Sequence, residues 1–219
     1  LDRELSSPSW SADIINIGGV CDSYQAVEDK YQLMRDILKV MIKHRNPIII
    51  STKSDLILRD IDLIDELAQH TYVNIAVSIT SCDDYISKRI EPGASLPLSR
   101  VNILKRFSET KAYTGFHLMP ILPYLADSEE NLEQLVKWVA EARVSYMLSG
   151  MLYLTGGIKK RYYEFIKEHF PAYLADYKDL YPGGGAKKEY KNTVHNFLAE
   201  MRKKYGVNNQ YSKFIKKCL

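Results

Sequence analysis

Small polar side chains follow two predicted strands at the points where the strands end. The apolar residues 48–50 lead into Ser-Thr-Lys-Ser at 51–54, and residues 73–77, apolar except for Asn74, lead into Ser-Ile-Thr at 78–80. A predicted helix follows each strand, so both segments belong to β/α repeats. In an α/β barrel the loops that follow the strands converge on one rim, where ligands bind. A lysine there, Lys53, is better explained as a contact for an anion or carboxylate than as part of the core.

The elements that position these residues alternate between short apolar runs and amphipathic segments, as in parallel β/α proteins. Strands are predicted at residues 13–18, 48–52, 73–80, 114–119 and 146–152. Helices are predicted at residues 26–44, 60–69, 83–90, 98–110, 128–142 and 188–205. Five β/α units are too few for an eight-fold barrel. The pattern leaves open an incomplete barrel and a doubly wound sheet.

Five segments of the chain resemble, in order and spacing, radical S-adenosylmethionine (SAM) proteins of the spore photoproduct lyase type, often labelled DNA repair photolyases. The segments are CDSYQAVEDKYQLMRDIL, TKSDLILRDIDLI, VSIT, RIEPGAS and MPILP. They fall within residues 14–157. The resemblance implies an α/β fold, a partial (β/α)6 barrel that lacks its first strand. We predict that residues 1–157 form this SAM-binding core and that residues 158–219 form a helical extension rich in Tyr and Lys.

The resemblance also implies a [4Fe–4S] cluster, held by three thiolates of a C-x₃-C-x₂-C loop while SAM chelates the fourth iron. This sequence contains no such motif, because Cys21, Cys82 and Cys218 are far apart. We therefore expect the cluster loop of the intact protein to precede Leu1, and we expect no cluster in this chain. A chain that begins with Leu1 is expected to be a piece of a longer protein, inactive by itself. No catalytic residue and no metal ligand is assigned.

The resemblance places SAM-binding residues at the ends of three strands. Asp22 and Ser23 match the position where the family contacts the SAM amino group, and Asp22 could accept that ammonium. Thr52 and Lys53 match the position where a lysine of the family meets the SAM carboxylate. Ser78 matches a polar side chain near the ribose. Ordinary structural roles stay open for these residues: Asp22 as a helix N-cap, Lys53 as a surface lysine and Ser78 as a strand end bonded to backbone.

Other polar residues receive structural interpretations. Glu91, in the loop RIEPGAS, is expected to form an ion pair or to close the loop. His117 alternates with the apolar Phe116 and Leu118; it is interpreted as a core histidine with satisfied hydrogen bonds, and a barrel-lining histidine is the alternative. The glycine runs at 156–157 and 183–185 lack the spacing of phosphate-binding loops and are predicted to be turns.

Charge is uneven along the chain. The formal net charge is +3, yet residues 187–219 contain nine Lys or Arg and two Glu. Six of these basic residues and two tyrosines lie in the last predicted helix or directly before it: Lys187, Lys188, Lys191, Arg202, Lys203, Lys204, Tyr190 and Tyr205. Such a region could bind a nucleic acid through phosphate contacts and base stacking. A solvated helix face is the alternative, with the stripe Tyr190, Val194, Phe197, Leu198 and Met201 packed inward.

The composition is that of a globular protein, with 46% hydrophobic and 26% charged residues. No apolar run reaches the roughly 20 residues that span a bilayer, so no membrane partner is expected. Three distant cysteines favour a reducing cytoplasm. An incomplete barrel would expose a sheet edge, through which a homo-oligomer could form.

Together these features favour part of a radical SAM enzyme that cleaves SAM reductively. A lyase-type DNA repair reaction is expected only because the family that the chain resembles carries that label. A barrel domain that binds a nucleotide or a partner without a cluster is the main alternative. A phosphate-binding barrel enzyme would require a glycine-rich phosphate loop, which the sequence lacks.

Overall fold

A five-stranded parallel sheet organises the chain in a computed structural model, which describes residues 1–209 and 211. Its strands are β1 (Ile15–Ile17), β2 (Ile48–Thr52), β3 (Val73–Ser78), β4 (Tyr113–Ile121) and β5 (Tyr146–Met151). Their spatial order is their chain order, and every neighbouring pair is parallel. A doubly wound sheet reverses its strand order at a switch point. The partial β/α barrel is therefore confirmed, and the doubly wound alternative is wrong.

Helices connect the strands and follow the last one. They are α1 (Asp2–Leu5), α2 (Glu28–Tyr31), α3 (Leu33–His44), α4 (Ile61–Ala68), α5 (Asp84–Ile90), α6 (Pro97–Ser108), α7 (Glu129–Glu141), α8 (Gly156–His169), α9 (Leu174–Leu180) and α10 (Lys188–Tyr205). A 3₁₀ turn at Asp55–Asp60 precedes α4. The hydroxyl of Ser128 accepts a hydrogen bond from the Asn131 amide at the start of α7, as an N-cap does. No described helix has the length and apolar character needed to cross a membrane.

The helix predicted at residues 26–44 is interrupted. Gln32 has a left-handed backbone (φ 52°) between α2 and α3. The buried carboxylate of Glu28 accepts hydrogen bonds from the amides of Leu33 (3.1 Å) and Met34 (2.9 Å). These amides are the free donors at the start of α3, so Glu28 caps that helix from the preceding turn.

The main hydrophobic core lies between the sheet and the outer helices. Strand residues such as Ile50 and Ile75 are fully buried in it, and Val194 and Leu198 of α10 join it. Tyr190, Phe197 and Met201 of α10 are partly buried and pack against the same core, so the inward packing of that stripe is confirmed. A second cluster contains Leu154, Ile166, Tyr177, Leu180 and Tyr181.

The opposite face of the sheet forms the inner face of the barrel wall. Val77 of β3 and Phe116 and Leu118 of β4 are buried in the main core. Because successive side chains of a strand point to opposite faces, Ser78 and His117, which are register partners, point into the barrel. His117 is half-buried on this inner face, so the barrel-lining alternative describes it better than a core position does.

Strand β1 forms one edge of the sheet and pairs with β2. No further strand pairs with β1 among residues 1–209 and 211. The expected first strand before Leu1 and the homo-oligomer through this edge stay predictions.

Candidate functional site

A cavity of about 210 Å³ lies at the carboxyl ends of the first three strands. Its lining residues are Gly18, Val20, Cys21, Asp22, Ser51, Thr52, Lys53 and Ser78. The structure thus brings together four of the five residues that the sequence singled out. Ser23 is the exception, because it is not among the lining residues and its buried hydroxyl has no hydrogen-bond partner. The position, at the rim of a parallel sheet, is the usual one for ligands in α/β folds.

Asp22 joins the loop after β1 to the end of β2. Its carboxylate accepts hydrogen bonds from the Thr52 hydroxyl (2.8 Å), the Lys53 amide (2.7 Å) and the Tyr24 amide (2.9 Å). The N-cap alternative is wrong, because α2 begins at Glu28 and its N-cap position is Val27. Asp22 fixes the rim and places a negative charge at the cavity wall.

Thr52 is almost fully buried. Its hydroxyl donates to Asp22 and accepts a hydrogen bond from the Ser54 amide at 3.0 Å. The side chain of Thr52 therefore shapes the turn after β2 through Ser54 and fixes that turn to the loop after β1 through Asp22.

Lys53 is paired with an acid rather than free in solvent. Its ammonium lies 2.6 Å from Oε1 of Glu91, and 38% of the side chain is exposed. The second oxygen of Glu91, Oε2, lies 2.5 Å from Nη1 of Arg100. The ion-pair role expected for Glu91 is confirmed by these two contacts. An unpaired surface lysine does not describe Lys53.

Arg100, in α6, is the functional candidate that the sequence reasoning did not single out. It is 1% exposed. Its Nη1 donates to the Ser78 carbonyl at 2.9 Å and its Nε donates to the Ser95 carbonyl at 2.6 Å. A usable signal was the arginine on the apolar stripe of the helix, next to Val101 and in line with Leu104. A charge at a core position requires a buried partner.

Ser78 and His117 continue the site across the inner face of the sheet. The Ser78 carbonyl accepts from Arg100, while its hydroxyl makes no hydrogen bond with the described residues. Nε2 of His117 lies 3.4 Å from the Tyr146 hydroxyl. Burial lowers the pKa of His117 to about 4, so its imidazole is neutral at physiological pH.

The chain's residues do not fit an iron–sulfur cluster. Three thiolates would be required, and the described residues contain an exposed Cys21 and a partly buried Cys82. No group of three or more His, Cys, Asp or Glu side chains suited to a metal ion occurs within the part of the chain that the structure describes. Cys218 lies outside the described residues.

The basic residues of α10 are partly engaged within the protein. Lys187 pairs with Asp179 and Lys204 pairs with Glu133. The Tyr190 hydroxyl donates to Asp127 and the Tyr205 hydroxyl donates to Glu133. Both tyrosines are partly buried. Their hydroxyls are therefore engaged within the protein, and base stacking by their rings stays a prediction. Lys213, Lys216 and Lys217 lie outside the described residues.

Curated relatives match most of this chain but only part of their own length. No protein-family model matches the chain. An uncharacterised protein of Mycobacterium tuberculosis (strain ATCC 25618 / H37Rv) is 29% identical over 206 residues, 94% of this chain and 61% of that protein. An uncharacterised protein of Methanocaldococcus jannaschii is 33% identical over 115 residues, 52% of this chain and 43% of that protein. The chain thus spans about three fifths of the first of these relatives.

Solved structures show which fold these elements make. A spore photoproduct lyase mutant superposes with a TM-score of 0.66 at 14% identity, covering 92% of this chain and 62% of the lyase. The chain has the radical SAM fold. A lyase mutant with bound AdoMet and dinucleoside spore photoproduct gives a TM-score of 0.64 at 13% identity. The superposition covers 92% of this chain and 62% of the lyase.

A domain of the pyruvate-formate lyase-activating enzyme from Bacteroides vulgatus ATCC 8482 shares the same fold. It superposes with a TM-score of 0.53 at 12% identity and covers 90% of this chain and 96% of that domain. At these identities the likeness establishes fold and leaves ligand and reaction to the chemistry of the site.

Proposed function

We propose that this chain is the SAM-binding core of a radical SAM protein and that its ligand occupies the cavity at the ends of β1, β2 and β3. The observation that carries the proposal is the convergence of Asp22, Lys53 and Ser78 from three strand ends on one cavity, within a radical SAM fold.

Each lining residue has a role that suits its chemistry. The Lys53 ammonium is the cation that would meet the ligand's carboxylate. Asp22 supplies negative charge on the side of the ligand's amino group, and the Thr52 hydroxyl and the Lys53 amide hold that carboxylate in place. The Ser78 hydroxyl is available to a ribose hydroxyl. Ser23 is given no ligand contact, since it is not among the lining residues of the cavity.

The proposal for the chain itself ends at binding and orienting SAM. In a radical SAM protein a [4Fe–4S] cluster supplies the electron that cleaves SAM, and the residues of this chain do not fit one. For the intact protein we propose a radical SAM reaction of the lyase type, acting on a nucleic acid, with cluster ligands supplied outside this sequence. The sequence resemblance and the shared fold support that assignment.

Binding of S-adenosylhomocysteine and 5′-methylthioadenosine tests the site, because the second compound lacks the amino-acid carboxylate. Without a cluster to chelate the ligand, we expect dissociation constants on the order of 0.1–1 mM for S-adenosylhomocysteine, measured by NMR titration. Lys53→Ala should weaken the binding of S-adenosylhomocysteine by roughly 1–3 kcal/mol, which is the contribution of a hydrogen bond to a charged group. Binding of 5′-methylthioadenosine should be unchanged.

Lys39→Ala is the matched control, because Lys39 is also an ion-paired lysine but is 61% exposed on α3. If Lys53→Ala and Lys39→Ala have the same effect on S-adenosylhomocysteine, Lys53 does not contact the ligand and the proposed site is wrong.

A further inference from the structure

Glu91 lies between two cations, one of which, Lys53, is a lining residue of the cavity. Its Oε1 lies 2.6 Å from the Lys53 ammonium and its Oε2 lies 2.5 Å from Nη1 of Arg100. One carboxylate therefore faces two positive charges. Glu91 therefore divides its charge between Lys53 and Arg100, and it does not neutralise Lys53 alone.

Burial makes the inner part of this cluster rigid. Arg100 is 1% exposed, and the Glu91 side chain is 11% exposed. A buried guanidinium is costly without a paired carboxylate and satisfied donors, and the remaining donor Nη2 is buried without a partner. Glu91 is thus held by Arg100, while Lys53 at the outer end is the one member of the three that reaches the cavity lining.

The main chain ties the same residues to the strand ends. The Ser95 amide donates to the Lys53 carbonyl at 3.0 Å, and Arg100 donates to the carbonyls of Ser95 and Ser78. The Ser95 hydroxyl donates to Asp55 at 2.8 Å. The loop between α5 and α6 therefore clamps the end of β2 to the end of β3, on both sides of the cavity.

We propose that Glu91 and Arg100 are positioning residues that hold the Lys53 ammonium at the cavity edge for a ligand carboxylate. A lysine free to move would lose side-chain entropy on binding, and the bond to Glu91 removes that loss beforehand. Because Glu91 is also bonded to Arg100, Lys53 can accept a ligand carboxylate while it keeps Glu91. This inference deepens the proposed function and rests on it for the identity of the ligand.

A double-mutant cycle on ligand affinity tests the proposal. Glu91→Gln should weaken the binding of S-adenosylhomocysteine about 10-fold, within the range measured for charge-assisted contacts. The affinity for 5′-methylthioadenosine should be unchanged. In a Lys53→Ala background, Glu91→Gln should have no further effect. Equal weakening of both ligands would show a general structural role, and unchanged or tighter binding of S-adenosylhomocysteine would show that Glu91 does not position Lys53. Either result overturns the proposal.

Two further variants guard against a folding defect, because Glu91→Gln uncovers the buried Arg100. Glu91→Asp keeps the charge but shortens the side chain, so it should stay folded by circular dichroism and still weaken S-adenosylhomocysteine selectively. Glu109→Gln is the matched control, since Glu109 is 75% exposed and lies 3.9 Å from Arg106. It should change neither affinity.

A measurement without ligand separates this proposal from the proposed function. The Lys53 ammonium should give a slowly exchanging side-chain NMR signal in the wild-type chain because Glu91 holds it, and the signal should disappear in Glu91→Asp. If the chain binds neither nucleoside, the proposed function fails while this readout still tests the positioning. An unchanged Lys53 signal in Glu91→Asp would overturn the positioning role.

Discussion

At the scale of single residues, the two charged groups nearest the cavity have different surroundings. Asp22 makes its hydrogen bonds to the Thr52 hydroxyl and to main-chain amides, so it stabilises one loop arrangement. Lys53 is bonded through a side-chain pair to a loop from another β/α unit. Substituting Asp22 should therefore disturb the rim itself, whereas substituting Lys53 should change mainly the charge offered to a ligand.

Four residues that line the cavity were predictable from the sequence, but the contacts that Lys53 makes with other segments were not. A lysine after a buried strand is unusual enough to mark the rim, and the position of Ser78 follows from the same repeat. The contacts of Glu91 with Lys53 and Arg100 join three separate segments. Such contacts depend on how the α5–α6 loop folds back over the strand ends, which local patterns do not specify.

His117 gives a prediction about pH. Its folded-state pKa is lowered to about 4 by burial, while an unfolded histidine titrates near 6.5. Between these values the unfolded chain binds a proton that the folded chain does not, so stability is lost as pH falls from about 6.5 to about 4. The loss attributable to His117 is at most about 3 kcal/mol.

His117→Gln should therefore flatten the pH dependence of the free energy of unfolding between pH 6.5 and 4, as measured by urea denaturation. His70→Gln is the control, because His70 is exposed at the end of α4. A wild-type slope that persists in His117→Gln would show that other groups cause the loss of stability.

At the scale of elements, strand positions followed closely from apolar runs and turn residues. Strand β2 matches residues 48–52, and β3 ends two residues earlier than predicted. The break between α2 and α3 could not be predicted in this way, because the apolar spacing continues through Gln32. It depends on a buried glutamate that takes over the first free amides of α3.

Glu28→Gln tests this account of the break. The substitution removes the charge that accepts from Leu33 and Met34 and that pairs with Arg59 at 2.8 Å. We expect a loss of about 1–3 kcal/mol in the free energy of unfolding, the size of a capping contact combined with a charged hydrogen bond. Glu66→Gln, on the exposed side of α4, should change stability by no more than about 0.5 kcal/mol. Equal effects in chemical denaturation would contradict the capping role of Glu28.

At the scale of the whole molecule, α10 packs against the barrel and also carries the lysines for which nucleic-acid binding is predicted. Its apolar stripe packs on the main core, and the Met147 amide of β5 donates to the Asn208 carbonyl just beyond the helix. The helix is therefore part of the barrel's packing, while Lys188, Lys191 and Lys203 remain exposed. These three lysines spread over roughly 20 Å of helix, a length that suits a few phosphates of a single strand.

Single-stranded DNA should bind this surface weakly and without sequence preference. Because the hydroxyls of Tyr190 and Tyr205 are engaged in intramolecular contacts, we expect the affinity to depend mainly on phosphate contacts and to fall as salt rises. Fluorescence anisotropy with an oligothymidine should show binding at tens of micromolar in low salt.

Reversing Lys188, Lys191 and Lys203 to Glu should abolish this binding. Reversing Lys30, Lys39 and Lys105, which are exposed on other helices, should weaken it far less. An equal loss in both triple variants would mean that overall charge governs the interaction, and no binding at low salt would mean that the exposed lysines of α10 only solvate the helix.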